Sequence, residues 1–296
     1  MQRRSQLVGG PLGATGLVVL GLTAQEAGAS IAVLLFPSAG PLGMVTFRLV
    51  FSALILLAIA RPSWRGRSVR AWATVVAFGA VLATMNGLFY LSIERIPLGA
   101  AVTIEVLGPL ALSVIAARRA SAWLWAALAA IGVVLLGQGS FGHLDPVGVM
   151  LAAAAGAAWI FYILLSARTG AAFPRLDGLA IAMTFGAVII LPFGIATAGS
   201  ALVRPDLLLL GAAVALLSSA IPYALELVAL RRLPASTFAV LMSLAPAIAT
   251  IAGLVLLGQS FTWVGAIAVA LVVTASIGAV RSAPRGGASA TPAPAP

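Results

Sequence analysis

Glu26, Glu105 and Glu226 each lie inside a long apolar run that offers no place for a solvated charge, and Arg48 sits inside another. An acid or a guanidinium in the middle of a membrane-spanning helix costs about 2.5–3.5 kcal/mol on insertion scales, so its default meaning is a functional site. A carboxylate in such a place can alternately hold a proton and an ammonium. A guanidinium can take a carboxylate through two parallel hydrogen bonds. Glu105 and Arg48 fall at similar depth in their runs, about two turns from the same side, so they can pair. Two readings of that pair stay open. Either Glu105 works on protons and amines while Arg48 binds a carboxylate, or the two form a static bridge that fixes helix packing. Glu26 has the same choice: relay acid, or partner of Arg48. Arg48 neutralises one acid well, which leaves at least one of Glu26 and Glu105 protonated or solvated by a cavity. Glu226 lies about one turn from Arg231 and Arg232, so it serves the site or snorkels into a local salt bridge.

Weaker candidates surround these charges. Gln25 adjoins Glu26, followed by Gly28, Ala29 and Ser30, small residues that allow close helix approach. Asn86, Tyr90, Trp159, Tyr162 and Tyr223 are polar or aromatic residues deep enough to line a pocket. Asn86 leads this group, because a buried amide needs a partner. No catalytic constellation accompanies them: there is no nucleophile elbow, phosphate-cradling Gly-rich loop or paired-carboxylate motif. His143 and Asp145 fall in a link and form no metal cluster. The chain has no cysteine, so disulfides and thiolate metal sites are excluded. The sequence therefore predicts neither enzyme activity nor any cofactor or metal.

These residues must be held by membrane-spanning helices. Charged residues make up 8% of the 296 and hydrophobic residues 62%, against about 25% charged in a soluble domain. Apolar stretches of about 20 residues, the length that spans a bilayer core, alternate with short links. Lipid offers no hydrogen bonds to backbone, and these stretches are too long and apolar for barrel strands, so they are helices. The expected fold is an all-α integral membrane protein of ten spans: 13–36, 41–60, 71–93, 98–117, 122–139, 146–166, 178–198, 207–230, 235–257 and 261–280.

All 17 basic residues are arginine. With the N-terminus inside, the inside segments hold Arg3, Arg4, Arg61, Arg65, Arg67, Arg70, Arg118, Arg119, Arg168, Arg175, Arg231, Arg232, Arg281 and Arg285. The outside links hold Arg95 and Arg204. Fourteen against two is a positive-inside pattern that puts both termini in the cytoplasm. The net charge of +10 thus sets topology; it forms no stripe for nucleic acid. Arg3, Arg4 and the following apolar run with Ala27-Gly28-Ala29 imitate a signal peptide, but the run resumes through Phe36, so it is read as the first span.

Residues 90–110 (YLSIERIPLGAAVTIEVLGPL) align with 227–247 (LVALRRLPASTFAVLMSLAPA). Pro97 meets Pro234 and Pro109 meets Pro246. Pro97 and Pro234 open spans, where a missing N–H is harmless; Pro109 and Pro246 lie inside spans, where they kink the helix. A unit of five spans repeated once is inverted in the membrane, the arrangement of many secondary transporters with midplane binding sites. The expected organisation is a cytoplasmic N-terminus 1–12, a first five-helix repeat 13–139, a second 146–280, and a disordered cytoplasmic tail 281–296 rich in Pro, Ala and Gly.

The residues around these acids carry a resemblance. Asn86-Gly87-Leu88-Phe89-Tyr90-Leu91, Ile96-Pro97-Leu98-Gly99-Ala100-Ala101-Val102, Glu105 with Gly108-Pro109-Leu110, Pro222-Tyr223-Ala224-Leu225-Glu226 and Leu241-Met242-Ser243 resemble the drug/metabolite transporter superfamily. Within it they are most similar to EamA-like exporters of the threonine/homoserine type. Gln25 with Gly28-Ala29-Ser30 fits the first span of that group, and the resemblance covers about residues 12–280. It implies ten spans in inverted halves and export of small amino acids against protons. Where such proteins carry Glu before the Pro-Ala of the ninth span and Glu after its Leu-Gly, this chain has Ala245 and Gln259.

The expectation is a multi-pass secondary active transporter of the plasma (inner) membrane. It would export threonine- or homoserine-like zwitterions by alternating access, coupled by proton antiport. Its partners are a small-molecule substrate, protons and the lipid bilayer, with no nucleic acid; oligomeric state is undetermined. The alternatives are an exporter of other metabolites or cationic drugs, and a membrane receptor or enzyme whose buried acids are structural.

Overall fold

The protein is described by a computed structural model covering residues 11–117, 120–137, 144–222, 225, 241–260 and 262–282. Among these residues every regular element is a helix. The helical path α1 runs Pro11–Ala60 and breaks at Gly40 (φ 66°, ψ 166°), between Pro37 and Pro41. That extended left-handed setting is open to glycine and costly for any residue with a Cβ. Then follow α2 (Val69–Ile93), α3 (Leu98–Glu105), α4 (Leu107–Ala117), α5 (Ala120–Gly137), α6 (Pro146–Ala172), α7 (Asp177–Ala198), α8 (Pro205–Ala215), α9 (Ala245–Leu257) and α10 (Trp263–Ser282). A 3₁₀ turn, Gly199–Val203, precedes α8, and a π-helical turn, Leu216–Ala220, follows it.

Among the described residues, four stretches are long and apolar enough to cross a bilayer: Gly13–Ala60, Val69–Ile93, Pro146–Ala172 and Asp177–Val203. Leu98–Leu112, Trp123–Leu135, Pro205–Ala220, Ala245–Leu257 and Trp263–Gly278 are shorter apolar helices. Large apolar side chains such as Leu34, Ile59, Val188, Phe193, Leu209 and Val255 point outward, while Glu26, Arg48, Asn86 and Glu105 are buried. Apolar faces this extensive would drive association in water; in lipid they are the solvated surface.

The proline at 109 acts as its position requires. It has no N–H to give Glu105, so the helix turns at Val106 and divides into α3 and α4. Pro246 similarly stands at the start of α9, after a turn at Ser243 and Leu244.

Helix α2 is antiparallel to α6. At one end Arg67 Nη1 donates to Ala172 O (3.1 Å) and its guanidinium covers the Phe173 ring (5.1 Å). Midway, Phe78 packs on Tyr162. At the other end Ser92 Oγ donates to Gly148 O (2.8 Å), and Arg95 pairs with Asp145 (3.0 Å). The arginine-rich links 61–70 and 168–175 therefore share one end, opposite Arg95. Helix α2 also lies against α7, where Gly79 and Gly186 bring two backbones together; a Cβ on Gly79 would stand 2.5 Å from Ala182 O. Leu22, Met44, Leu49, Leu82, Leu98, Ile181 and Met183 fill the core between these helices.

Candidate functional site

Three ionisable side chains from three helical segments are buried in one region. Glu26 and Arg48 come from the two arms of α1 and Glu105 from the end of α3; they are 2%, 8% and 9% exposed. Each lies within electrostatic reach of the others, and the Gln25 amide lies beside the Glu26 carboxyl. Glu105 is seven residues beyond Leu98, about 11 Å at 1.5 Å per residue. Arg48 is seven residues beyond Pro41, an equal rise along its own helix.

Arg48 reaches acceptors from outside its own helix. Nε donates to Ser219 Oγ (3.2 Å), Nη2 to Ser218 O (2.9 Å), and Nη1 makes a long contact with Tyr90 Oη (3.5 Å). Pro222 and the π turn before it make this possible. Ile221 N–H reaches back five residues to Leu216 O, and the usual i+4 donor to Ser218 O would come from residue 222, a proline with no N–H. Tyr90 is fully buried, its ring 5.7 Å from the guanidinium and braced by Phe36 and Phe89. Glu26 Oε2 and Ser218 Oγ are buried without a hydrogen-bond partner, an arrangement that costs about 1–3 kcal/mol per neutral group. Gly28 lies directly against Ser218, so nothing separates the Glu26 arm from the π turn.

Helix α3 is fixed where it ends. A Cβ on Gly156 of α6 would stand 2.5 Å from Glu105 O, and one on Gly108 would collide with Gly156 O. Backbone thus meets backbone, and the place of Glu105 follows from this crossing.

The comparisons with known proteins bear on this buried group. The profile of the EamA-like transporter family matches residues 146–281. The chain is 40% identical over 266 residues to the "Threonine/homoserine exporter RhtA" of Salmonella typhimurium (strain LT2), covering 88% of this chain and 89% of that protein. The protein of the same name from Escherichia coli (strain K12) matches with the same identity and coverage. The chain belongs to the EamA-like transporter family, among the exporters of the threonine/homoserine type. It is a membrane transporter, and not an enzyme. A crystal structure with TM-score 0.60, 21% identity and coverage of 89% of this chain and 96% of that one shares the fold.

Within this EamA-like transporter the candidates separate. Gln25, Glu26, Arg48, Tyr90 and Glu105 converge. Asn86 stands one turn from Tyr90 on α2, its Nδ2 given to Leu82 O (2.8 Å). Tyr162 packs on Phe78 and thereby holds α6 to α2. Trp159 is half-buried, one turn beyond Gly156. Glu226, Tyr223, His143 and residues 283–296 lie outside the described residues, as does residue 227–240 of the repeated stretch. Ala245 is buried at the start of α9, and Gln259 follows that helix's end.

Sequence reasoning missed Ser218 and Ser219. Their signal was a pair of hydroxyls inside the apolar run Leu216–Leu225, next to Pro222. It also missed Gly156, which the alanine-rich stretch of α6 concealed.

Proposed function

We propose that the chain exports small zwitterionic amino acids of the threonine/homoserine kind across the inner membrane, in exchange for protons. Ten spans in two inverted halves, 13–139 and 146–280, would alternate access to a site at Glu26, Arg48 and Glu105, with both termini cytoplasmic. The halves are supported by the matching breaks at Pro109 and Pro246. The orientation is supported by the arginine-rich links that share one end. The substrate class is supported by the names of the relatives at 40% identity.

The observation that carries the mechanism is the burial of two acids and one guanidinium together, with Arg48 directing Nε and Nη2 to serine acceptors and Glu26 Oε2 left without a hydrogen-bond partner. A purely structural bridge would satisfy both carboxylates. Here Glu26 Oε2 keeps capacity for a proton or an ammonium. The substrate ammonium takes Glu105 or Glu26, and its carboxylate takes Arg48 bidentately. Protonation of the acid from outside removes the attraction for the ammonium, releases the amino acid and allows the return.

The test is uptake of labelled threonine into everted vesicles, with and without an imposed pH gradient, for wild type and Glu105→Gln. Gradient-driven uptake is expected in the wild type and lost in the variant. No uptake by correctly inserted wild type removes threonine as cargo and points to other metabolites. Equal uptake by both makes Glu105 structural.

A further inference from the structure

The first backbone donor of α3 is satisfied from a different part of the chain. Pro97, which precedes α3, has no side chain able to cap it, and Leu98 N–H is one of the donors that a helix cannot satisfy itself. It donates to Gln259 Oε1 at 3.1 Å. Gln259 belongs to the link between α9 and α10. Its backbone is set by Gly258, in the left-handed region (φ 61°, ψ 24°), and by Gln259 N–H donating to Gly253 O at 3.1 Å. Its side chain seats on Gly253, where a Cβ would collide with Oε1. One turn up α9, Thr250 presses on Gly99 of α3 and returns its own hydroxyl to Pro246 O (2.8 Å).

All eight residues of α3 are buried, and the last of them is Glu105. The helix is a short rod held at its start by Gln259 and Thr250 and at its end by Gly156. We infer that Gln259 is a positioning residue for Glu105: by accepting the Leu98 N–H it sets the rotation and depth of the rod that carries the acid. The inference rests on the role for Glu105 given under Proposed function. What position 259 must supply is an acceptor oxygen, so a carboxylate serves as well as an amide, and beside a helix N-terminus it is electrostatically favoured. A side chain of similar length with only a thioether's weak acceptor leaves Leu98 N–H poorly satisfied in an interior with little water.

The experiment compares wild type, Gln259→Glu, Gln259→Met and Gly253→Ala in native membranes. It reads carbodiimide labelling of Glu105 against pH by peptide mass spectrometry, together with the pH profile of threonine uptake. Labelling needs no transport, so it tests the positioning even where the amino-acid reading fails. Gln259→Glu is expected to keep the wild-type labelling profile. Gln259→Met and Gly253→Ala are expected to change the labelling rate of Glu105, and the uptake rate, by about tenfold. Identical labelling profiles in all four proteins overturn the inference, as does a Gln259→Glu profile that follows Gln259→Met. Loss of folded protein in both Gln259→Met and Gly253→Ala, with Gln259→Glu folded, assigns the contact to stability alone and also overturns it.

Discussion

Replacing Gly156 by alanine tests whether the helix crossing places Glu105. The new Cβ would stand 2.5 Å from Glu105 O and 3.2 Å from its C and Cα. Ordinary contact begins at about 3.5 Å, so α3 and α6 must separate by about 1 Å. Both sides of the contact are backbone, so no rotamer change relieves it. Overpacking of this kind costs about 1–3 kcal/mol. Alanine within a helix recovers about 1 kcal/mol over glycine, so the net loss of stability is about 0–2 kcal/mol and the protein still folds. Transport is more sensitive, since a displacement of about 1 Å at a working site can cost about a hundredfold. Gly170 provides the control: it lies on the same helix, and a Cβ there meets nothing within 4 Å. Uptake into vesicles and thermal unfolding of purified protein would be measured for both variants. Gly156→Ala is expected to lose at least about tenfold in uptake while Gly170→Ala stays at the wild-type rate. Equal uptake in the two refutes the claim that this crossing positions Glu105.

Arg48→Lys keeps the charge but carries its donors on one nitrogen, where Arg48 reaches Ser219 Oγ and Ser218 O from two, Nε and Nη2. The loss of one charged hydrogen bond, about 1.5–3 kcal/mol, predicts an uptake at least about tenfold lower; uptake within about twofold of wild type shows that the fork is not needed. At the Arg95 end, the hydrogen bond from Arg95 holds the Asp145 carboxyl below its ordinary value of 3.8. A depressed folded-state value stabilises the protein above the unfolded-state value, and that contribution fades as pH falls through the folded one. Asp145→Asn keeps an oxygen for the Val147 N–H but never ionises, so the variant is expected to match wild type at low pH, to be slightly less stable at neutral pH, and so to flatten thermal stability against pH below about 4. A wild-type slope in the variant assigns the acid loss to other groups.

The sequence alone determined the solvent and the cast. Apolar runs of spanning length, with arginines confined to the links, require helices in lipid. Acids that survive in such runs mark themselves, which is why the burial of Glu26 and Glu105 was legible without coordinates. The break near Pro109 was legible too, because a missing N–H acts locally. Tertiary structure decided how these residues are used. Nothing in the order of residues says that Arg48 donates to Ser218 and Ser219, 170 and 171 positions away. That contact exists because Pro222 leaves Ser218 O without its i+4 donor and the fold lays this turn against Arg48. The weight of Gly156 was hidden for the same reason: a glycine among alanines looks like filler until another backbone lies against it. Periodicity and composition are properties of a segment, so a single chain displays them. Which donor meets which acceptor is a property of two segments, and only their packing settles it.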